Sequence, residues 1–181
     1  MFEQDMKKVL VTKEEIQKRV QEIGEQITKE YQGKEVTLIC LLNGAITFMA
    51  DLGRAIDLTV YYDFMKVSSY GTASVSSGNV RIAKDVANEI FDKHIIIVED
   101  IVDTGTTLER ILNFLAERKP ASLKVCCLLD KVERRTTQVP VDYCGFVIPD
   151  EFAVGYGMDY AEKYRNLPYI GVLKEAVYSG N

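Results

Sequence analysis

Apolar positions along most of the chain alternate between strand-like runs and helical spacing. Mainly apolar runs of strand length cover residues 36–42, 58–67, 95–98 and 122–129, and residues 95–98 are an uninterrupted β-branched run. Apolar side chains recur at helical spacing in the segments that lie between them, residues 45–56 and 107–119. This alternation predicts a doubly wound, mostly parallel α/β sheet that binds ligands at the carboxyl ends of its strands.

An amphipathic helix precedes the first of these strands. Residues 12–15, Thr-Lys-Glu-Glu, match a capping box, and apolar residues follow at Ile16, Val20, Ile23 and Ile27. The pattern predicts a helix that runs to about Tyr31, stops at Gly33 and covers one face of the sheet.

No Pro-, Gly- or Ser-rich linker divides the 181 residues, so we expect one domain over residues 1–181. Its core should comprise about residues 36–140. The short strands and turns of about residues 141–181, together with the N-terminal segment, should form a small cap, or hood, over the edge of the sheet.

Charge and composition exclude several classes of function. The net charge is −5 and the pI is near 5.1, and no run of Lys and Arg forms a basic stripe, which disfavours general nucleic-acid binding. Residues 1–8 have neither a secretory apolar core nor an Arg-rich transit pattern, and no apolar run is long enough to span a membrane. We therefore expect a cytoplasmic protein.

Cysteine and histidine usage narrows the chemistry further. The four cysteines lie in apolar, strand-like surroundings without Cys-x-x-Cys spacing; they are Cys40, Cys126, Cys127 and Cys144. His94 is the only histidine. We expect buried thiols rather than a zinc site, and mechanisms that need a Ser–His or Cys–His pair are disfavoured.

The most informative segment, residues 94–107, runs from an apolar strand into acids and then into a hydroxyl-rich turn. The acids are Glu99, Asp100 and Asp103, and the turn is Thr104, Gly105, Thr106 and Thr107. Because the turn joins the carboxyl end of a strand to the amino end of a helix, its free N–H groups favour a phosphate. Glu99 and Asp100 would repel that phosphate and suit ribose hydroxyls or a divalent cation. Taken alone, Asp103 could instead be an acidic N-cap of the helix.

Residues 98–107 resemble the phosphoribosyl-pyrophosphate (PRPP) signature of the type I phosphoribosyltransferases. Four further segments follow in the order of that family: residues 41–45, 69–71, 128–131 and 145–156, the last extending through Asp159 and Tyr160 to Arg165. Together the five segments are most similar to the hypoxanthine-guanine phosphoribosyltransferases, and they cover most of the chain from about residue 36. The resemblance implies the type I phosphoribosyltransferase fold.

This resemblance also implies an activity. Members of the family carry out purine salvage, in which the phosphoribosyl group of PRPP moves to N9 of a 6-oxopurine, hypoxanthine or guanine. The reaction depends on Mg²⁺ and yields IMP or GMP and pyrophosphate. The implied partners are these small molecules, with no nucleic acid and no membrane, and the implied assembly is a homodimer or homotetramer.

The family's motifs assign roles to individual residues. Asp103 would be the general base that accepts the proton of purine N7. The 5′-phosphate and ribose would be bound by Glu99, Asp100, Asp103, Thr104, Gly105, Thr106 and Thr107, and the pyrophosphate by Asn43, Gly44, Arg165, Ser69 and Tyr70. The purine would be bound by Lys131, Phe152, Ala153 and Asp159, and Mg²⁺ by Glu99, Asp100 and, through water, Asp159.

Two positions depart from the common pattern of the family. Many relatives carry Lys where this chain has Asn43. The resemblance therefore implies that the backbone amide at this position binds pyrophosphate, but it implies no role for the Asn43 side chain. The peptide between residues 42 and 43 is often cis in relatives. Ala153 replaces a larger aliphatic residue, which we expect to loosen the pocket around purine C2.

Residues 68–79 contain almost no apolar side chains, and their composition predicts a mobile loop. A plain hairpin tip is the alternative, whereas the resemblance implies a lid that closes during phosphoribosyl transfer. Three other functions stay open at this point. They are a xanthine-preferring enzyme, an RNA-binding pyrimidine-operon attenuator of the same fold, and a nucleotide-binding module without catalysis.

Overall fold

The structure is a computed structural model that describes residues 2–69 and 80–179. Its strands are β1 (Met6–Val11), β2 (Val36–Leu42), β3 (Val60–Ser69), β4 (Val80–Lys84), β5 (His94–Val102), β6 (Ser122–Asp130), β7 (Tyr143–Val147), β8 (Ala153–Val154) and β9 (Ile170–Leu173). Its α-helices are α1 (Lys13–Glu30), α2 (Ile46–Ala55), α3 (Thr106–Ala116) and α4 (Glu175–Tyr178). Short 3₁₀ helices cover Glu3–Asp5 and Val132–Arg134.

The main sheet has six strands in the order β4-β3-β2-β5-β6-β7. All neighbours pair in parallel except β4, which pairs antiparallel with β3 at one edge. The predicted mostly parallel α/β fold is therefore confirmed. Strand β5 continues beyond the apolar run of residues 95–98, because Glu99 pairs with Cys127 and Ile101 with Leu129 on β6. The acids that follow the apolar run therefore belong to the strand itself.

Both faces of this sheet are covered, which explains the continuous apolar runs of its central strands. Side chains of β2 alternate between the two faces: Leu38 and Cys40 pack in the cluster that includes α1 and α2, whereas Ile39 and Leu41 pack with α3. All four are buried. The sheet thereby holds its carboxyl edge between two packed layers, and that edge carries the predicted site residues.

The N-terminal helix forms as its sequence predicts. Thr12 is the N-cap of α1, where Thr12 Oγ1 accepts a bond from the Glu15 amide at 3.3 Å and Glu15 Oε2 accepts one from the Thr12 amide at 2.8 Å. The capping box is therefore confirmed. Gly24 lets this helix approach α2, because a Cβ at residue 24 would lie 2.5 Å from the Ala55 carbonyl oxygen.

A second, three-stranded sheet has the order β1-β9-β8 and is antiparallel. It joins the N-terminal strand to two strands from the last thirty residues or so of the chain, while β7 pairs with β6 in the main sheet. The division of the chain into a core and a cap stays a prediction. Cys40, Cys126 and Cys127 are buried and Cys144 is half-buried, and all four thiols are free. No helix in the described part of the chain is both long and apolar enough to cross a membrane.

Candidate active site

Two carboxylates lie side by side near the end of β5. Glu99 Oε1 accepts a bond from the Asp100 amide at 3.2 Å, and Asp100 Oδ1 accepts one from the Ile101 amide at 2.8 Å. Burial, and secondly the charge of Asp100, raise the pKa of Glu99 well above its usual value. Among residues 2–69 and 80–179 no cationic side chain pairs with either acid. A pair of this kind is the donor set that a divalent cation stabilises.

The turn after β2 meets these acids. The Leu42–Asn43 peptide is cis, and Gly44 follows it. A Cβ at residue 44 would lie only 1.7 Å from Asp100 Oδ2, so this position accommodates only glycine while the carboxylate keeps its place. Because β2 and β5 are parallel neighbours, the backbone at Asn43 and Gly44 and the acid pair lie at the same edge of the sheet. The Asn43 side chain is exposed.

The predicted phosphate loop encloses a small cavity. The cavity has a volume of about 170 Å³ and is lined by Glu99, Ile101, Val102, Asp103, Thr104, Gly105, Thr107 and Leu108. Helix α3 begins at Thr106, and its N-cap Gly105 has φ +87°. A Cβ at residue 105 would lie 2.6 Å from the Thr137 carbonyl oxygen, so glycine is required by both conformation and space. The start of α3 therefore borders this cavity, and the free N–H groups of a helix N-terminus favour an anion.

The third threonine of the loop, Thr106, contacts the segment that follows β6. Thr106 Oγ1 lies 3.4 Å from both Thr104 Oγ1 and Thr137 Oγ1. The Thr104 carbonyl accepts bonds from the amides of Thr136 and Thr137 at 3.1 and 3.0 Å. The segment after β6 therefore holds the loop through hydrogen bonds to Thr104 and Thr106.

Asp103 does not cap α3. Gly105 is the N-cap, and no side chain in the described part of the chain makes a capping hydrogen bond there, so the interpretation of Asp103 as an acidic N-cap is wrong. Instead, Arg134 Nε donates to Asp103 Oδ1 at 2.7 Å. The reason is spatial: the Val132–Arg134 helix brings a guanidinium to the loop from 31 positions along the chain.

Lys131 lies beside the loop at the end of β6. Its backbone amide donates to the Val102 carbonyl at 2.9 Å, and the residue is only 9% exposed. Lys131 Nζ donates to Asp150 Oδ1 at 3.1 Å, and Asp150 Oδ2 accepts from Arg134 Nη1 at 3.0 Å. These two bonds, that of Arg134 first, lower the pKa of Asp150.

Three residues whose side chains contact the side chain of Asp103, Thr106 or Lys131 were absent from the residues predicted to form the site. They are Arg134, Thr137 and Asp150, and only Asp150 lies within a segment that carries the family resemblance. A fourth, Arg135, pairs with the buried Asp130 beneath Gly105. Their contacts join distant parts of the chain, so no local pattern identified them.

Phe152 lies within an aromatic group. Its ring stacks on Tyr178 of α4, with centroids 4.8 Å apart and an interplanar angle of 19°, and meets the edge of Tyr160 at 5.5 Å. The residue keeps 37% of its surface exposed. The next residue, Ala153, is half-buried and pairs with Val172 in the small sheet. Tyr178 is a neighbour that the sequence did not indicate.

Arg165 connects the predicted pyrophosphate and purine residues. Its Nη1 donates to the Gly157 carbonyl at 2.9 Å and its Nη2 pairs with Asp159 Oδ1 at 2.8 Å. Gly157 has φ +105° and packs on the Gly44 carbonyl, since a Cβ there would lie 2.1 Å from that oxygen. Asp159 Oδ2 also accepts a bond from the Glu162 amide at 2.9 Å. Arg165 and Asp159 are therefore attached to the Gly44 turn through Gly157.

Most of residues 68–79, which were predicted to form a lid, lie outside the described residues. Ser69 ends β3, where its backbone pairs with Val80. Tyr70 and the rest of residues 70–79 lie outside the described residues, and their part in the site stays a prediction.

This fold and site are those of a phosphoribosyltransferase, and a family model described as a phosphoribosyl transferase domain matches residues 9–161. The hypoxanthine-guanine phosphoribosyltransferase of Streptococcus pneumoniae is 51% identical over 179 residues, 99% of each chain. That of Bacillus subtilis is 51% identical over 178 residues, 98% of this chain and 99% of the relative. A crystal structure of a hypoxanthine phosphoribosyltransferase from Staphylococcus aureus superposes with a TM-score of 0.93 at 50% identity, over 97% of this chain and 95% of the other.

The chain therefore belongs to the hypoxanthine-guanine phosphoribosyltransferases, a family of purine-salvage enzymes. The two alternatives within the same fold, a xanthine-preferring enzyme and an RNA-binding attenuator, are not favoured by these relatives.

Proposed function

We propose that this chain transfers the phosphoribosyl group of PRPP to N9 of hypoxanthine or guanine, giving IMP or GMP and pyrophosphate. Three structural features that lie at one edge of the sheet support this proposal. These are the predicted phosphate loop of residues 103–107, the half-buried pair Glu99 and Asp100, and the Gly44 backbone that lies against Asp100. Each matches a different part of PRPP: 5′-phosphate, ribose and pyrophosphate.

Binding of PRPP follows from these contacts. The first-turn amides of α3 and the hydroxyls of Thr104 and Thr107 donate to the 5′-phosphate. Glu99 and Asp100 accept from the ribose hydroxyls. The Gly44 amide and the guanidinium of Arg165 donate to the pyrophosphate, whose charge must be neutralised before its bond to the ribose C1 breaks.

Magnesium is part of this proposal. Glu99 and Asp100 fit a divalent cation, because burial raises the pKa of Glu99 and no cationic side chain among the described residues offsets either charge. Asp159 already accepts from Arg165 and from the Glu162 amide, so it would reach a second ion through water. The bound ion would neutralise charge on the pyrophosphate leaving group.

Asp103, Lys131 and Phe152 would carry out proton transfer and recognition of the purine base. As purine N9 attacks the ribose C1, Asp103 accepts the proton from N7. Lys131 donates to the 6-oxo group, and Phe152 packs on the purine ring. Burial of Lys131 supports this role, because a lysine at 9% exposure beside the loop is not a solvated strand end.

Steady-state rates with PRPP, Mg²⁺ and each of hypoxanthine, guanine, xanthine and adenine test the proposal. We expect pyrophosphate release with the first two bases at the highest kcat/KM. A highest kcat/KM for xanthine would favour the xanthine-preferring enzyme. Tight PRPP binding without pyrophosphate release would identify a binding module, and retention of structured RNA on filters would identify an attenuator.

A homodimer or homotetramer is a further part of the proposal. It rests on the family resemblance and on Tyr61 and Tyr62 of β3, which are 51% and 43% exposed. Sedimentation velocity of the wild-type protein and of a Tyr61→Ser, Tyr62→Ser variant tests it. We expect an oligomer in the first case and a shift toward monomer in the second.

A further inference from the structure

One guanidinium joins the proposed general base to the proposed purine-recognition lysine. Arg134 Nε donates to Asp103 Oδ1 at 2.7 Å, and Arg134 Nη1 donates to Asp150 Oδ2 at 3.0 Å. The other oxygen of Asp150 accepts from Lys131 Nζ at 3.1 Å. The four side chains therefore form one continuous chain of charge-assisted hydrogen bonds.

The backbone around Arg134 restricts how far its side chain can move from these partners. The Arg134 amide donates to the Lys131 carbonyl at 3.0 Å, which closes the short 3₁₀ helix, and the Lys131 amide is bonded to Val102 at 2.9 Å. Two residues further on, the Thr136 amide donates to the Thr104 carbonyl at 3.1 Å. Arg134 is thus held between Lys131, which directly follows β6, and the loop that carries Asp103.

The arrangement leaves one oxygen of the general base available. Arg134 occupies Asp103 Oδ1, and Oδ2 has no hydrogen-bond partner among the described residues. In a 6-oxopurine, N7 and the 6-oxo group lie on the same edge of the base. A residue that orients both Asp103 and Lys131 would therefore set the spacing of the acceptor for N7 and the donor for the 6-oxo group.

We propose that Arg134 is a positioning residue that, through Asp103 on one side and Asp150 on the other, aligns the proton acceptor and Lys131 to one edge of a 6-oxopurine. The inference rests on the proposed function, since it assigns Arg134 a role in the same reaction. Arg134 acts only through these two carboxylates. It sets how well the base is bound and deprotonated, and it has no part in binding PRPP.

The test compares kinetics for both substrates. For Arg134→Gln we expect kcat/KM for hypoxanthine to fall about tenfold to a hundredfold, because misplaced reacting groups lose rate steeply. KM for PRPP should change less than about twofold, and the preference for hypoxanthine over adenine should fall. Arg134→Lys should give intermediate values, since an ammonium lacks the planar fork that bonds two carboxylates at once.

A second variant, Asp150→Asn, tests the same hydrogen-bond network from its other carboxylate. It should lower kcat/KM for hypoxanthine in the same direction, and the double variant should lose less than the product of the two single losses, because both changes break one network. Arg118→Gln is the matched control: Arg118 pairs with Asp85 at similar exposure on another part of the surface, and its kinetics should equal wild type. Thermal unfolding midpoints within about 4 °C of wild type identify folded variants.

Two outcomes separate this inference from the proposed function. If Arg134→Gln and Asp150→Asn both keep wild-type kcat/KM for hypoxanthine while Asp103→Asn is impaired, only the inference about Arg134 is wrong. If Asp103→Asn itself turns over normally, the proposed general base is wrong and the role of Arg134 falls with it. A loss confined to KM for PRPP in Arg134→Gln would also overturn the inference.

Discussion

Gly44 and Asp100 lie so close together that a methyl group on residue 44 would stand 1.7 Å from Asp100 Oδ2. The contact joins the turn after β2 to the acid pair of β5, which are parallel neighbours in the sheet. The proposed pyrophosphate amide and the proposed cation ligand therefore behave as one unit. A side chain at residue 44 would have to displace the Asp100 carboxylate.

The first prediction follows from that contact. Gly44→Ala should push the Asp100 carboxylate aside, raise KM for PRPP and lower kcat/KM by about 10²-fold. Steady-state kinetics at varied PRPP and Mg²⁺ measure this. Gly33→Ala is the control, because its methyl meets nothing within 4 Å; it costs stability at φ +75° but should leave KM unchanged. Wild-type KM in Gly44→Ala would show that the turn and the acid tolerate separation.

The second prediction concerns the general base. Asp103→Asn should retain PRPP affinity, because the loop amides and hydroxyls remain, yet lower kcat by about 10²–10⁴-fold. Calorimetric PRPP binding and single-turnover rates separate the two effects. Asp57→Asn, an exposed aspartate between α2 and β3, should behave as wild type. Near-normal turnover of Asp103→Asn would exclude the role.

The third prediction concerns base selection. A buried donor is left unpaired when adenine presents an amine to Lys131, so wild type should prefer hypoxanthine by roughly 10⁴ in kcat/KM. Lys131→Met keeps the length of the side chain but removes the donor, and this preference should fall mainly through loss with hypoxanthine. The exposed Lys29→Met serves as control. An unchanged ratio would mean that another group selects the base.

The fourth prediction concerns stability at low pH. Burial would raise the pKa of Asp63, but its bonds from the Ala87, Phe64 and Asn88 amides outweigh this and lower the pKa below the usual 3.8. Because the folded pKa is lower than the unfolded one, the stabilisation is complete above about pH 4 and is lost as pH falls through the folded pKa.

Asp63→Asn should therefore destabilise the protein at pH 7 by about 1–3 kcal/mol, through loss of the charged acceptor. The difference between variant and wild type should shrink as pH is lowered below about 4. Urea unfolding at pH 7 and pH 3 measures both quantities, with Asp57→Asn as the control. A difference that is the same at both pH values would contradict this assignment.

Several features could be predicted from the sequence because their causes are local. The capping box of α1 depends on residues three positions apart, and the apolar runs of β2 and β5 have the length and composition of strands covered on both faces. The turn at Gly105 that we propose binds the phosphate is local as well, since a strand, a glycine at positive φ and a helix start follow one another in the chain. Fold class and the position of the phosphate loop were therefore within reach of the sequence alone.

Only the tertiary structure decided which groups meet around that loop. The pair of Arg134 with Asp103 spans 31 positions, and the contact of Gly44 with Asp100 exists because β2 and β5 are adjacent in the sheet. Neither contact leaves a periodic or compositional trace in the chain. By itself the sequence determined the fold, the family and the position of the glycine turn proposed to bind phosphate. The partners of the acids were decided by the packing of distant segments, because hydrogen bonds between such segments depend on distance in space and not along the chain.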